Sequence, residues 1–448
     1  MFTVRTPRVV ALWLLALACC VATAHAQTGA ASITGLITDE TGAALPGVTI
    51  TATNVATNVP YVAVSNEAGN YTVTSVPVGR YIVKAELSGF RTAATPEFTL
   101  EARQVARLDL RMLVGTLEET IQVEAAAPIL QTETVTVGEV ISGSTATTLP
   151  LNGRNASQLA LLLPGTMTVN PAGFTSVPGQ SGARPFVNGN REQVNNYTLD
   201  GLDVNDSLDN GVGYQPSPDA VAEVAVETNN YTADTGNVGG AVIASVLKSG
   251  SNMFKGNAFE FYRNSDLDAN RWENNRSGAA KPKRRQDIFG ATFGGPLMRD
   301  KLFFFGDYQG SRQDAPGATT ASVAPAAWRN GDLSSVNVVI RDPLTGLPFP
   351  NNQIPASRIS PVARAILGDT ANYPLPNAPV AGVTGNYVGQ TLTEVRAHQG
   401  DIRLDWNASQ NDKIFGRLSM KSFRSDTTLA AFPLIMGSFD DQPFWNVG

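Results

Sequence analysis

Asp401-Ile-Arg-Leu-Asp-Trp-Asn407, with Lys413-Ile-Phe-Gly-Arg-Leu-Ser-Met-Lys421 just beyond it, is the stretch that decides the fold. Ile402, Leu404 and Trp406 alternate with Asp401, Arg403 and Asp405, and Ile414, Leu418 and Met420 alternate with Lys413, Arg417 and Lys421. A period of two belongs to a strand, whose successive side chains point to opposite faces. Runs of about ten residues with apolar groups on one face and charges on the other are the pattern of a β-barrel with lipid outside and water inside. The same period occurs upstream. Asn257, Phe259, Phe261 and Arg263 share one face against Ala258, Glu260 and Tyr262; Phe289, Ala291 and Phe293 share another; Lys301 to Gln309 carries Phe303, Phe304 and Phe305. Met298-Arg-Asp300 and Ala408 to Asp412 are tight connections, expected on the periplasmic side. Asn264 to Gln286 and the Pro-rich span from Ser311 to about Val395 are long and expected outside. A soluble β-sandwich tail is the competing reading, and it leaves three consecutive Phe beside Tyr308 without a reason.

Composition narrows the function. Arg5 and Arg8, the apolar run Val9 to Ala18 and the small-residue site Ala24-His25-Ala26 read as a signal peptide over residues 1–26, with Gln27 starting the mature chain. A lipoprotein site at Leu17-Ala18-Cys19 is the lesser alternative. The only cysteines, Cys19 and Cys20, fall in that segment, so thiol catalysis, thiolate metal sites and disulfide scaffolds are not expected of the mature chain. Loss of Arg5 and Arg8 takes the net charge from -6 to -8, which argues against a nucleic-acid partner. The basic run Lys281-Pro-Lys-Arg-Arg285 reads as a solvated loop. His398 is the one histidine left, too few for a zinc hydrolase, and no G-x-S-x-G elbow accompanies it. No catalytic, cofactor-binding or metal residue is assigned, and an enzyme is not expected.

Residues 27–114 read as a β-sandwich, with short alternating strands such as Tyr81, Val83, Ala85 and Leu87 punctuated by Asn66-Glu-Ala-Gly69, Pro77-Val-Gly79 and Ser88-Gly89. Gly35-Leu-Ile-Thr-Asp39, Leu45-Pro-Gly-Val48, Asn66-Glu-Ala-Gly-Asn-Tyr71 and Pro77-Val-Gly-Arg-Tyr81 resemble the carboxypeptidase regulatory-like domain, a transthyretin-like sandwich without peptidase activity of its own. Tyr61 and Phe90 could stack on a sugar, although packing within the sandwich explains them more simply.

Between sandwich and barrel come Leu149-Pro-Leu-Asn-Gly-Arg154, Ala183-Arg-Pro-Phe-Val-Asn-Gly189, Leu199-Asp-Gly201, Val221-Ala-Glu-Val-Ala-Val-Glu227 and Gly239-Gly-Ala-Val-Ile-Ala-Ser-Val-Leu-Lys-Ser-Gly-Ser-Asn252. In that order they resemble the plug domain of TonB-dependent outer-membrane receptors. Phe293-Gly-Gly-Pro-Leu297 and Asp300-Lys-Leu-Phe-Phe-Phe-Gly306 are similar to the Oar-like subfamily. Two other readings of this region are weaker on its own residues. Gly236-Asn-Val-Gly239-Gly240 lacks the Lys of a phosphate loop. Asp203, Asn205, Ser207 and Asp209 alternate like calcium ligands, but Leu208 stands where such a loop needs Gly and Tyr214 where it needs Glu.

The expected architecture is therefore all-β dominated: signal peptide 1–26, sandwich 27–114, linker 115–148, α+β plug 149–252, and the first strands of a transmembrane β-barrel over 253–448. Only five or six barrel strands are countable, where lumen-filled receptors close with about 22, so the chain is expected to be an N-terminal fragment with an incomplete, open barrel. The resemblance implies an outer-membrane receptor with its N-terminal domain in the periplasm. A TonB-type protein pairs with a linker strand and pulls, the plug shifts, and a small-molecule, oligosaccharide or peptide substrate enters without any cofactor. It assigns coupling to Thr120, Ile121, Gln122, Val123 and Glu124, and plug-core or substrate roles to Arg154, Asn188, Arg191 and Asp200. The alternative is an exported carbohydrate-binding or adhesion protein that uses the sandwich.

Overall fold

A computed structural model describes residues 30–115, 120–122, 136–169, 184–207, 210–231, 238–270, 272–277, 281, 283–378, 382–410, 412–429 and 438–448. The expected signal peptide, together with Val123, Glu124, Leu208, Asp209 and Gly236, lies outside these residues.

The sandwich comprises β1 (Ala31–Thr38), β2 (Thr49–Asn54), β3 (Pro60–Val64), β4 (Asn70–Val76), β5 (Gly79–Glu86), β6 (Thr92–Ala94), β7 (Phe98–Leu100), β8 (Val105–Arg107) and β9 (Leu110–Arg111). One sheet orders β4-β1-β8 with β9 also on β1; the other contains β6-β5-β2-β3 with β7 on β5. Alternation decides what faces inward: Ile33 and Ile37 of β1, Ile50 of β2, Tyr71 and Val73 of β4, and Tyr81, Val83 and Ala85 of β5 make one core. Gly35 has a steric reason. A Cβ there would lie 1.9 Å from the Leu108 carbonyl oxygen, which also accepts the Tyr71 hydroxyl at 2.8 Å. Tyr61 meets Tyr81 edge to face at 6.1 Å and Phe90 packs on the same core, so packing accounts for both aromatics.

The expected linker 115–148 is in part structured. β10 (Thr120–Gln122) lies parallel to β6 at the end of the second sandwich sheet. β11 (Val137–Ser142) runs antiparallel to β16 (Val221–Asn229), and the helix Gly143–Thr148 follows, capped by the Ser142 hydroxyl. The plug sheet thus begins before the boundary expected at residue 149. The reason is Val137 to Ser142: a Val/Glu-rich segment of low intrinsic specificity becomes a strand when a long partner is available. The rest of this unit is β12 (Thr166–Met167), β13 (Phe186–Val187), β14 (Asn196–Leu199), β15 (Leu202–Asp203) and β17 (Val242–Leu247), with sheet order β11-β16-β17-β14-β15. Leu159, Leu199, Tyr214, Val221 and Leu247 fill its core, and Phe305 enters from the neighbouring wall.

That wall is one antiparallel meander: β18 (Lys255–Asn264), β19 (Arg285–Met298), β20 (Leu302–Ala321), β21 (Tyr387–Asn407), β22 (Lys413–Leu429) and β23 (Ser438–Val447). Among the described residues it does not close on itself. Its faces are inverted relative to a soluble protein. Ile402, Leu404 and Trp406 are 56%, 44% and 50% exposed, whereas Asp401 and Arg403 are 1% and 8% exposed. Apolar groups out and charges in is the distribution that lipid on one side and a wet plug on the other would select.

The long connection is shorter than expected from Ser311 to Val395, because Ala315 to Ala321 and Tyr387 to Thr393 continue the β20–β21 ladder. Pro316 had argued against a strand there. Beyond Asp314, however, β20 has no β19 partner. Its free side can take a residue that lacks an N–H. Residues 322–386 remain as the loop, anchored by Arg329, which donates to the carbonyls of Ala324, Leu367 and Tyr373 at 2.9, 3.1 and 2.6 Å.

Candidate functional site

Three motifs singled out in the plug share one backbone device. Gly153 and Arg154, Asn188 and Gly189, and Asp200 and Gly201 all have positive φ, at 66° and 54°, 51° and 77°, and 50° and 82°. Two consecutive left-handed residues are what a type I′ turn demands, and Asn-Gly and Asp-Gly supply them at the least steric cost. Asp200-Gly201 is the two-residue loop joining β14 to β15, with Leu199 opposite Leu202. The turn signal was present in the sequence but was read there only as a family signature.

The hairpin carries Asp200 into the wall. Its Oδ1 accepts from the Leu247 backbone N–H at 3.0 Å and from Arg403 Nη1 at 2.8 Å, and Arg417 Nε lies 3.3 Å from Oδ2. Burial pushes the Asp200 carboxyl up, opposed by the two guanidinium groups and the Leu247 N–H. Arg403 also reaches Asp405 at 2.9 Å, and Arg417 donates to Asn446 Oδ1 at 2.7 Å and to the Ser419 hydroxyl. Ser419 in turn donates to Asp401, whose other oxygen accepts the Tyr214 hydroxyl at 2.7 Å. The Tyr214 ring stacks on Phe444 with centroids 5.5 Å apart. The plug therefore meets β21 and β22 through a continuous buried network, in a region where unpaired charges are costly.

A second seam joins the plug to the first wall strands. Arg154 donates to Asp219, and its guanidinium carbon lies 4.6 and 4.4 Å from the ring centroids of Phe259 and Phe261. Asn257 Nδ2 donates to the other Asp219 oxygen at 2.5 Å, and Ser217 donates to Gln309 at 3.0 Å. Two cation–π contacts tie Arg154 to β18, while its ion pair with Asp219 lies within the plug. The structure thus brings Arg154 and Asp200 to the wall. Asn188 and Arg191 belong elsewhere: Asn188 Nδ2 donates to the Thr228 carbonyl at 2.9 Å, pinning its turn to β16, and Arg191 is exposed beside the turn Glu192–Val194. The sequence assigns no seam role to Arg403, Arg417, Asp401, Tyr214 or Asp219. The polar face of β21 and β22 was legible, but nothing in a strand's alternation names the plug residues opposite it.

The calcium reading gives way to ordinary turn chemistry. Asp203 Oδ1 accepts the Asn205 N–H at 2.7 Å, and the Asn205 side chain accepts from Tyr197 N–H and donates to Asn196 at 2.9 Å each. His398 sits on an exposed strand face with its Nδ1 2.7 Å from the Tyr308 hydroxyl.

The sandwich is docked under this assembly. The Ala102 N–H donates to Glu223 at 2.7 Å, and Arg103 forks onto Glu227 at 2.5 and 3.2 Å. Ala102 and Val78 pack on Ala225, Ala244 and Val246. Asn58 donates to Asp300 at 3.0 Å, the Asn252 N–H to the Ala56 carbonyl at 3.0 Å, and Lys413 Nζ lies 4.6 Å from the Tyr61 ring centroid. Asp300 lies in the tight β19–β20 connection and Lys413 opens β22 just after the tight β21–β22 connection, so the sandwich sits at that end of the wall. Burial pushes the Glu223 carboxyl up to about 7, with nearby Glu101 adding to the shift and the Ala102 N–H opposing it. A raised value means that the docked state holds a proton more tightly than an exposed carboxylate would. Docking is then strongest below the ordinary value near 4.5 and weakens as pH rises through about 7. Protection of the Ala102 amide against hydrogen exchange, corrected for intrinsic rate, should be greater at pH 5.5 than at pH 8.5. Glu223→Gln should flatten that difference; an unchanged pH dependence would remove Glu223 as its source.

Comparison with known proteins matches the sandwich and the wall. Residues 32–113 match the carboxypeptidase regulatory-like domain, and residues 246–447 match an outer membrane beta barrel domain. Over 400 residues, 82% of this chain, 29% of positions are identical to the TonB-dependent transporter Oar of Myxococcus xanthus. Over that span the chain is similar to this transporter. It spans 37% of the length of that relative. The chain also overlaps the outer membrane transporter YddB of Escherichia coli (14% identity, 69% of this chain and 36% of that one, TM-score 0.42). A mutant of the ferric enterobactin receptor PfeA of Pseudomonas aeruginosa overlaps similarly (13% identity, 66% and 34%, TM-score 0.35). The beta barrel domain match and the similarity to Oar assign this chain to the outer membrane.

Proposed function

We propose that this chain works as the sandwich, plug and first wall of an energy-coupled outer-membrane transporter. The observation that carries the reading is the buried ionic network from Asp200 to Arg403 and Arg417. A globule whose charged hairpin tip is neutralised by the inner face of a lipid-exposed sheet is a stopper, held by contacts that exchange for water when it moves. Buried ion pairs suit that purpose, since they fix register strongly while adding little net stability over an apolar seam. A TonB-type partner would capture Thr120 to Glu124 and pull, the plug would leave β21 and β22, and a small-molecule, oligosaccharide or peptide substrate would pass from the outer face to the periplasm. The sandwich docked at the tight-turn end supports a periplasmic place for it. No step requires a catalytic residue.

The direct test is binding of the purified periplasmic domain of the cell's own TonB-type protein to the full-length receptor. Ile121→Pro should weaken it at least tenfold, because proline removes a strand N–H, while the receptor's exposure and folding in outer membranes stay normal. Unchanged binding would discard Thr120 to Glu124 as the coupling segment.

A further inference from the structure

We propose that the sandwich is a latch on the coupling strand: while β10 is paired with β6, the strand is withheld from the periplasmic motor, and capture requires strand exchange. This rests on the reading of Thr120 to Glu124 as the coupling segment. The pairing itself is backbone geometry, with Thr120 opposite Thr92, Ile121 opposite Ala93 and Gln122 opposite Ala94 in parallel register. Addition of a strand to a sheet edge is also how a partner would take the segment, so the sandwich and the partner compete through the same kind of bond.

The relative strengths of the contacts set the order of events. β10 holds by three parallel pairs at a sheet end, and parallel pairing is the weaker type per residue. The sandwich is held to the plug by the buried Arg103–Glu227 fork, the Ala102–Glu223 bond and an apolar patch, and to the wall turn by Asn58 and Asp300. β11 is held on β16 by pairs from Val137 to Ser142. Pull applied to the segment therefore peels β10 from β6 first, leaving the plug seated. The chain between β10 and β11, residues 123–136, reaches at most about 50 Å when pulled straight. One body thus touches the plug, the wall and the handle. The fold keeps the handle stowed when no partner has engaged it.

The test is a reversible staple. Register partners on adjacent strands lie about 4.8 Å apart, within the range a disulfide spans, and Cys19 and Cys20 are the only cysteines of these 448 residues. In full-length receptor carrying Thr92→Cys and Thr120→Cys, the oxidised form should bind the purified TonB-type periplasmic domain at least tenfold more weakly than the reduced form. Each single variant should bind like the parent under both conditions. Equal binding by the oxidised and reduced double variant, with the disulfide verified by mass, would overturn the latch and mean that the motor adds to the open side of β10. The coupling reading fails separately: it falls if Ile121→Pro binds as the parent does, whatever the staple shows.

Discussion

Asp200→Asn is expected to loosen the plug from β21 and β22 by about 3–5 kcal/mol, the usual cost of removing one partner from a buried ion pair. Asparagine keeps the size of the side chain and tolerates the same left-handed backbone, φ 50° at this position. The type I′ turn is therefore preserved and only the charge is lost. Arg417 is left facing Arg403 without the carboxylate between them, although Arg403 keeps Asp405. Exchange of the Leu247 amide, which donates to Asp200, should accelerate by about two to four orders of magnitude. Asp203→Asn, three residues away and exposed, is the control and should change little. An equal response from both variants would mean that the network contributes nothing to seating.

The second large effect belongs to the outer face. Leu404→Arg places a guanidinium where the structure leaves an apolar side chain exposed, on the face a bilayer would cover, and should destabilise the membrane-inserted protein by about 2–4 kcal/mol for a site near the bilayer midplane. The neighbouring residue, Arg403, is already an arginine and is accommodated because it points the other way, onto Asp200 and Asp405. A lower urea midpoint for Leu404→Arg in lipid, with near-native behaviour for Leu404→Ile, is the expected pair of results. If Leu404→Arg were neutral, the face assignment of β21 would be wrong.

Which parts of this arrangement were legible in the sequence follows from the range of the forces involved. The period of two in Ile402, Leu404 and Trp406 is local and survives in the structure as the outward face. The sandwich core is legible for the same reason, from Ile33 and Ile37 to Tyr81 and Val83. Local signals failed where a long-range partner overrode them. Val137 to Ser142 reads as linker until β16 is present, and Ala315 to Ala321, with Pro316 in it, reads as loop until β21 supplies the ladder. At the plug seam, Arg154 and Asp200 were identifiable from motifs that turned out to encode positive-φ turns. Their partners were not, because Asp219 and Arg403 are separated from them by 65 and 203 residues and no periodicity links the two.

The account depends on β21 separating lipid from plug, and spin-label accessibility tests that most directly. Single cysteines at positions 401 to 406 of the full-length protein, in outer membranes and with Cys19 and Cys20 replaced, can each carry a nitroxide. Labels at 402, 404 and 406 should collide with dissolved oxygen and not with a water-soluble nickel complex, and labels at 401 and 403 should be shielded from both. Nickel accessibility at all six positions, without a period of two, would contradict the account.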